Sequence, residues 1–121
     1  MKRVQMSADR LTELAGRFQE CRIAVMGDYF LDKYLDVDPA LAEISIETGL
    51  PAHQVVGVRC CPGAAGTIVG NLASLGARNV QTVGFTGDDG EAYELRKGLE
   101  QLGCVQRHLH SSADRFTPTY L

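Results

Sequence analysis

PGAAGTIVGNLASLGA, residues 62–77, is the stretch whose reading decides the fold. Its opening residues are all Pro, Gly or Ala, small enough for backbone to come close to a ligand or to a neighbouring element. A helix follows, with Ile68, Leu72 and Leu75 as the expected apolar stripe and Gly76 placed to end it. Downstream, residues 80–85 (VQTVGF) predict a strand, and Gly87-Asp88-Asp89-Gly90 predicts a turn that can cap the next helix. That helix runs over about 90–102, with Leu95, Leu99 and Leu102 on one face and Gly103 closing it. Residues 105–109 predict a third strand, and 117–121 the start of another.

Upstream, RIAVM at 22–26 is a short apolar run that ends in Gly27-Asp28, the pattern of a buried strand and a turn. Residues 8–20 predict an amphipathic helix on the spacing of Leu11, Leu14, Ala15 and Phe18, with Ser7 as its cap. Two weaker strand signals lie in 41–61: Ile44 and Ile46 alternate with polar residues, and Val55, Val56 and Val58 cluster. Gly49 to Pro51 reads as the turn between them. Strands alternating with helices predict an α/β fold, with βαβ units, a parallel sheet and helices on both faces.

Three segments offer chemistry. Asp28 and Asp32, in GDYFLD, follow the first strand, and ligands of open α/β sheets collect beyond the carboxyl ends of strands. Paired carboxylates there can grip a polyol; a solvated acidic turn is the plainer reading of the same residues. The 62–67 segment can offer free N–H groups at a helix start, or it can serve close helix–strand packing. It is neither a GxGxxG fingerprint nor a Walker A loop. Asp88 and Asp89 suit helix capping better than catalysis. His53, His108 and His110 have no partner pattern; His108 and His110 share a face of the expected strand and could bind a metal, but solvent exposure is the plainer reading.

The totals narrow the classes. A length of 121 residues fits a single domain, 1–121. Twelve basic against fifteen acidic residues, with no basic cluster, argue against a nucleic-acid partner. No run nears the roughly 18 apolar residues that span a bilayer, so no membrane partner is expected. Lys2 and Arg3 are followed by no apolar stretch, so the start does not read as a secretory signal and a cytoplasmic location is expected. Cys21, Cys60, Cys61 and Cys104 form no CxxC pair and lack a His at ligand spacing. Buried or half-buried thiols are expected, and no metal site.

Taken in order from about residue 22, these segments resemble the N-terminal region of ribokinase-like (PfkB-type) carbohydrate kinases. RIAVMGDYFLD is similar to that family's first strand and sugar-contacting acidic turn. PGAAGTIVGNLASLGA is similar to its glycine-rich signature and the helix after it, and VGFTGDDGEAYELRKGLEQLG to its next strand, turn and helix. The nearest subgroup looks like kinase domains acting on heptose phosphates. The resemblance implies a ribokinase-like parallel-sheet sandwich with a β lid, represented by its N-terminal half, with residues 41–61 as lid strands. It implies ATP-dependent phosphoryl transfer, with Mg²⁺, to a hydroxyl of a sugar or sugar phosphate. Asp32 stands where the family's sugar-binding Asp stands, with Asp28 in the same turn. Gly63, Ala64 and Ala65 would bring backbone to the sugar. Thr67 stands where many members have a sugar-contacting Asn. The family's lids often pair, which implies a homodimer.

Nothing here matches the family's later Gly-rich segment with its Asp base, so the expected catalytic residues lie outside these positions. ATP and Mg²⁺ are then expected to serve the whole enzyme and not to bind this chain tightly. Two other readings remain open: a truncated, non-catalytic sugar-binding or interaction domain, and a small nucleotide-binding module of another α/β type. The missing phosphate loops count against the second.

Overall fold

The structure is a computed structural model and describes residues 5–121. Lys2 and Arg3 lie outside the described residues. Helix α1 (Ala8–Gly16) is capped by Ser7, whose side chain accepts from the Arg10 amide, as its sequence predicts. The helix ends sooner than its apolar spacing suggests, and a single 3₁₀ turn occupies Phe18–Glu20. None of its residues is buried among the described ones.

Strand β1 (Arg22–Met26), β4 (Asn79–Gly87) and β5 (Val105–Ser112) form one parallel sheet in the order β1-β4-β5. A second sheet is built on a long antiparallel hairpin, β2 (Tyr29–Ile44) and β3 (Pro51–Ala64). The short β6 (Thr119–Tyr120) lies parallel to β2 on its other edge. Helix α2 (Ala65–Ser74) connects β3 to β4, and α3 (Gly90–Gln101) connects β4 to β5. The order of elements follows the sequence expectation, and so does the α/β class.

Strand alternation decides what is buried. Val25, Val80 and Leu109 point to one face of the parallel sheet and join Val69 of α2 and Leu95 and Leu99 of α3 in the core. Tyr29 and Leu31 complete that core from β2. The expectation of helices on both faces is corrected. Among the described residues, α2 and α3 share one face, while Met26 on the other is 80% exposed. Short apolar runs such as RIAVM do not by themselves distinguish one-sided from two-sided burial.

The expected stripe of α2 is also corrected. Ile68 and Leu75 are exposed and Leu72 is half-buried. The buried residues are Ala65, Gly66 and Val69. Gly66 shows why a small residue belongs there: a Cβ at this position would stand 2.5 Å from Pro62 Cβ. Pro62 meets α3 in the same way, because a Cβ on Gly98 would lie 2.8 Å from its ring. Two glycines on two helices therefore let one proline of β3 wedge between them. In α3 the expected leucines hold, with Leu95 and Leu99 fully buried and Leu102 half-buried. Gly76 and Gly103 end α2 and α3 at φ of 93° and 72°.

The hairpin corrects two further expectations. Its strands extend well beyond 41–61 and take in the acidic stretch from Asp32 to Asp38. A strand carrying acids on one face and Tyr29, Leu31 and Lys33 on the other mimics a polar loop in sequence. Cys60 and Cys104 are half-buried, as expected, but Cys61 and Cys21 are exposed. Adjacent strand residues face opposite ways, so Cys60 and Cys61 cannot share one side.

Candidate functional site

The site residues expected from sequence gather where β1 ends, β2 begins and α2 starts. Gly27 and Asp28 form the bend between β1 and β2. The Asp28 carbonyl accepts a hydrogen bond from the Ala65 amide at 3.1 Å, tying the acidic bend to the start of α2. Just before it, Ala64 adopts φ 48°, the one non-glycine residue with positive φ among those described. That conformation is costly for a residue with a Cβ and turns the chain sharply from β3 into α2.

Asp32 lies within β2, opposite Cys61 of β3, while Phe30 lies opposite Gly63. Gly63 is essential to this arrangement. A Cβ there would collide with the Phe30 ring and stand 2.8 Å from Asp32 Oδ2. The ring and the carboxylate therefore both lean over bare backbone. No ion pair among the described residues involves Asp32. Farther along the same face, Arg59 donates to both carboxylate oxygens of Asp36 at 2.9 and 3.0 Å and sits 5.1 Å from the Tyr34 ring centroid. The hydrogen bond from Arg59 holds the Asp36 carboxyl below its usual range.

The two carboxylates flagged in the sequence occupy different surroundings. Asp28 lines a cavity of about 120 Å³ with Phe85, Thr86, Arg115 and Phe116. Asp32 belongs to the hairpin face. Thr67 is exposed, and its hydroxyl donates to the Pro62 carbonyl at 3.4 Å. Sequence reading missed the contact between Phe30 and Tyr120, whose ring centroids are 4.9 Å apart. Strand alternation was the available signal for Phe30, since it shares a face with Asp32. The two-residue β6 gives Tyr120 no periodicity to read.

The turn at 87–90 is a structural clamp. Asp89 caps α3 by accepting from the Ala92 amide at 2.8 Å, and it also accepts from the Thr117 amide at 2.7 Å. The Thr117 hydroxyl in turn accepts from the Gly87 amide at 2.9 Å. Burial raises the Asp89 pKa, but the hydrogen bonds from Thr117 and Ala92 outweigh it and hold the carboxyl below its ordinary value. Asp89→Ala is expected to lower stability by about 1–3 kcal/mol, the loss of a cap and of a second charged acceptor. Because the folded-state pKa is depressed, Asp89 stabilises fully above its unfolded-state pKa. That stabilisation is lost as pH falls through the lower, folded value. Denaturant unfolding of wild type and Asp89→Ala across the acid range checks this: the gap should shrink as pH falls.

Buried Tyr29 anchors the floor of the region. Its hydroxyl donates to the Val25 carbonyl at 2.8 Å, and burial, with a smaller contribution from Cys104, pushes its pKa up to about 12. A Cβ on Gly84 would press on the same ring at 2.8 Å.

Solved structures share the fold of this chain. The ribokinase from Cryptococcus neoformans var. grubii serotype A, in complex with ADP, superposes with a TM-score of 0.53 at 22% identity. The match covers 81% of this chain and 29% of that one. The fructokinase with bound ATP from Xylella fastidiosa gives 0.58 at 20% identity, covering 81% and 28%. These establish the fold. Among curated proteins, the Bifunctional protein HldE of Gluconobacter oxydans (strain 621H) is 39% identical over 89 residues, 74% of this chain and 18% of that protein. Its namesake in Shewanella sp. (strain W3-18-1) is 38% identical over 104 residues, 86% and 21%. The chain corresponds to the N-terminal portion of a ribokinase-like (PfkB) carbohydrate kinase.

No family model matches the chain. It spans about a fifth of the length of the curated relatives it matches. Within the ribokinase-like fold, the β2–β3 hairpin and β6 form a sheet separate from the parallel one. The early bend, the Ala64 turn and the start of α2 meet where the two sheets adjoin. Among the described residues, no group of three or more His, Cys, Asp or Glu side chains can hold a metal ion, and no helix is long and apolar enough to cross a membrane.

Proposed function

We propose that this chain is the acceptor-binding portion of an ATP-dependent kinase for a sugar or sugar phosphate, acting in the cytoplasm, with residues 1–121 as the first part of the kinase domain. The observation that carries the reading is the Asp32 carboxylate poised over the bare backbone of Gly63. A carboxylate accepts strong hydrogen bonds from hydroxyls, and a glycine lets a ring approach the main chain. Ala64, Ala65 and Thr67 would complete the hold on the acceptor, and Asp28 is tied to this turn through its carbonyl, which accepts from the Ala65 amide. Heptose phosphates are the acceptor class favoured by the sequence resemblance.

The residues present do not fit ATP or Mg²⁺. The chain has no Walker A loop and, among its described residues, no metal-holding cluster. What these residues can do is bind and orient the hydroxyl that receives the phosphoryl group, and such transfer depends on that positioning. The test is ADP release by the natural polypeptide against a panel of aldoses, ketoses and their phosphates. Release that depends on one of these sugars supports the reading. Sugar binding without turnover favours a non-catalytic binding domain, and release indifferent to every sugar contradicts both.

The hairpin is proposed as a lid that pairs with the lid of a second copy. Its outer half exposes Leu35, Val37, Leu41, Ile44, Val55 and Val56. Exposed apolar strands are edges that need covering, and a two-fold pair of lids would cover them. Sedimentation of the natural polypeptide should show a dimer that Val56→Glu converts to monomer. A monomeric wild type at micromolar concentration would remove this part of the proposal.

A further inference from the structure

We infer that Tyr120, together with the Phe30 ring it packs on, forms an aromatic platform for the C–H face of the acceptor sugar, beside the Asp32 carboxylate. The inference rests on the acceptor-site reading above and extends it to a strand that the sequence motifs leave out. Tyr120 is the register partner of Asp32 across the β2–β6 pair. Parallel partners project to the same side of a sheet, and the 4.9 Å contact with Phe30 places the Tyr120 ring on that side. Phe30 itself leans over Gly63, so the two rings, the carboxylate and the bare backbone meet at one place.

The chemistry of this set is that of carbohydrate recognition. A sugar ring offers apolar C–H groups on one face and hydroxyls around its rim. An aromatic face takes the first, and a carboxylate accepts from the second. The segment before β6 is already held by the Asp89–Thr117–Gly87 clamp and by the Leu31 amide donating to the Pro118 carbonyl at 2.9 Å. Tyr120 is 67% exposed, and its ring lies against Phe30 on the Asp32 side of the sheet.

The experiment is steady-state kinetics of the natural polypeptide, with a heptose phosphate, D-ribose or D-fructose as the varied acceptor and ATP as co-substrate. Tyr120→Ala is expected to raise KM for the best acceptor about tenfold, the scale of one lost aromatic face, with KM for ATP and the thermal midpoint unchanged. Tyr120→Phe keeps the ring and should stay near wild type. Tyr120→Leu keeps the bulk without the aromatic face and should behave like Ala, which preserves the test if the Ala variant folds poorly. Unchanged acceptor KM in the Ala and Leu variants overturns the inference, as does an equal loss in Phe. If Asp32→Ala weakens the acceptor while the Tyr120 variants do not, only the platform fails. If neither affects it, or if wild type uses none of the sugars, the acceptor-site reading fails with it.

Discussion

Leu99→Ala lowers the unfolding free energy by about 2–5 kcal/mol, the range for deleting most of a fully buried leucine. Leu99 is 0% exposed and stands in the cluster that joins α2, α3 and both sheets. Its Cδ2 lies 3.9 Å from where a Cβ on Gly66 would be, so it packs against the turn of α2 that Pro62 also touches. A cavity at this point removes contacts from both helices and from the hairpin root together, and the glycine and proline around it have little freedom to close it. Leu99→Met, which nearly conserves volume, should cost less than about 1.5 kcal/mol. Denaturant unfolding of the natural polypeptide and the two variants measures both. A loss under about 1 kcal/mol for the alanine variant would show that the two sheets do not share this core.

Asp32→Ala weakens acceptor binding by about 1.5–3 kcal/mol, which is the scale of hydrogen bonds to a charged group and corresponds to roughly tenfold to 150-fold in Kd. The direction follows from geometry. Lys33, the next residue, turns to the other side and pairs with Glu91 at 3.4 Å, and Asp36 is held by Arg59. Asp32 has neither kind of partner, so hydroxyls of a ligand would meet an unengaged acceptor. Folding should be little affected, because removing the carboxylate breaks no ion pair among the described residues. Calorimetric titration of the natural polypeptide with its acceptor, alongside thermal unfolding, separates the two effects. Unchanged affinity in the variant would sink the assignment of Asp32.

Which parts of this were legible in the sequence follows from how local each signal is. The α3 leucines recur at helical spacing, and Asp89 stands where a cap must stand, so both read directly. Gly76 and Gly103 announce the ends of α2 and α3 for the same reason. The hairpin was only half legible: Val55 to Val58 and Ile44 gave strand signals, but the acids at 32, 36 and 38 hid the strand that carries them. Their alternation with Leu31, Lys33, Leu35 and Val37 has the period of a strand, with one face turned outward. On α2 two of the three large residues of the visible stripe, Ile68 and Leu75, are exposed, because Pro62 wedges against the helix and the buried face must be small. Of the site, the acidic bend, Asp32 and the glycine-rich turn stood out as motifs. Their meeting through the Asp28–Ala65 hydrogen bond, and the arrival of Tyr120 beside Asp32, depend on pairings between distant segments, which no local pattern encodes.

The central claim is that the acceptor sugar is held between Asp32 and the 63–67 turn. Amide chemical-shift mapping of the natural polypeptide, titrated with the acceptor in the absence of nucleotide, tests it most directly. The account predicts that the largest saturable shifts fall on the amides of Asp32, Gly63, Ala64, Ala65 and Thr67. Saturable binding whose shifts cluster elsewhere and leave these amides unmoved would contradict it.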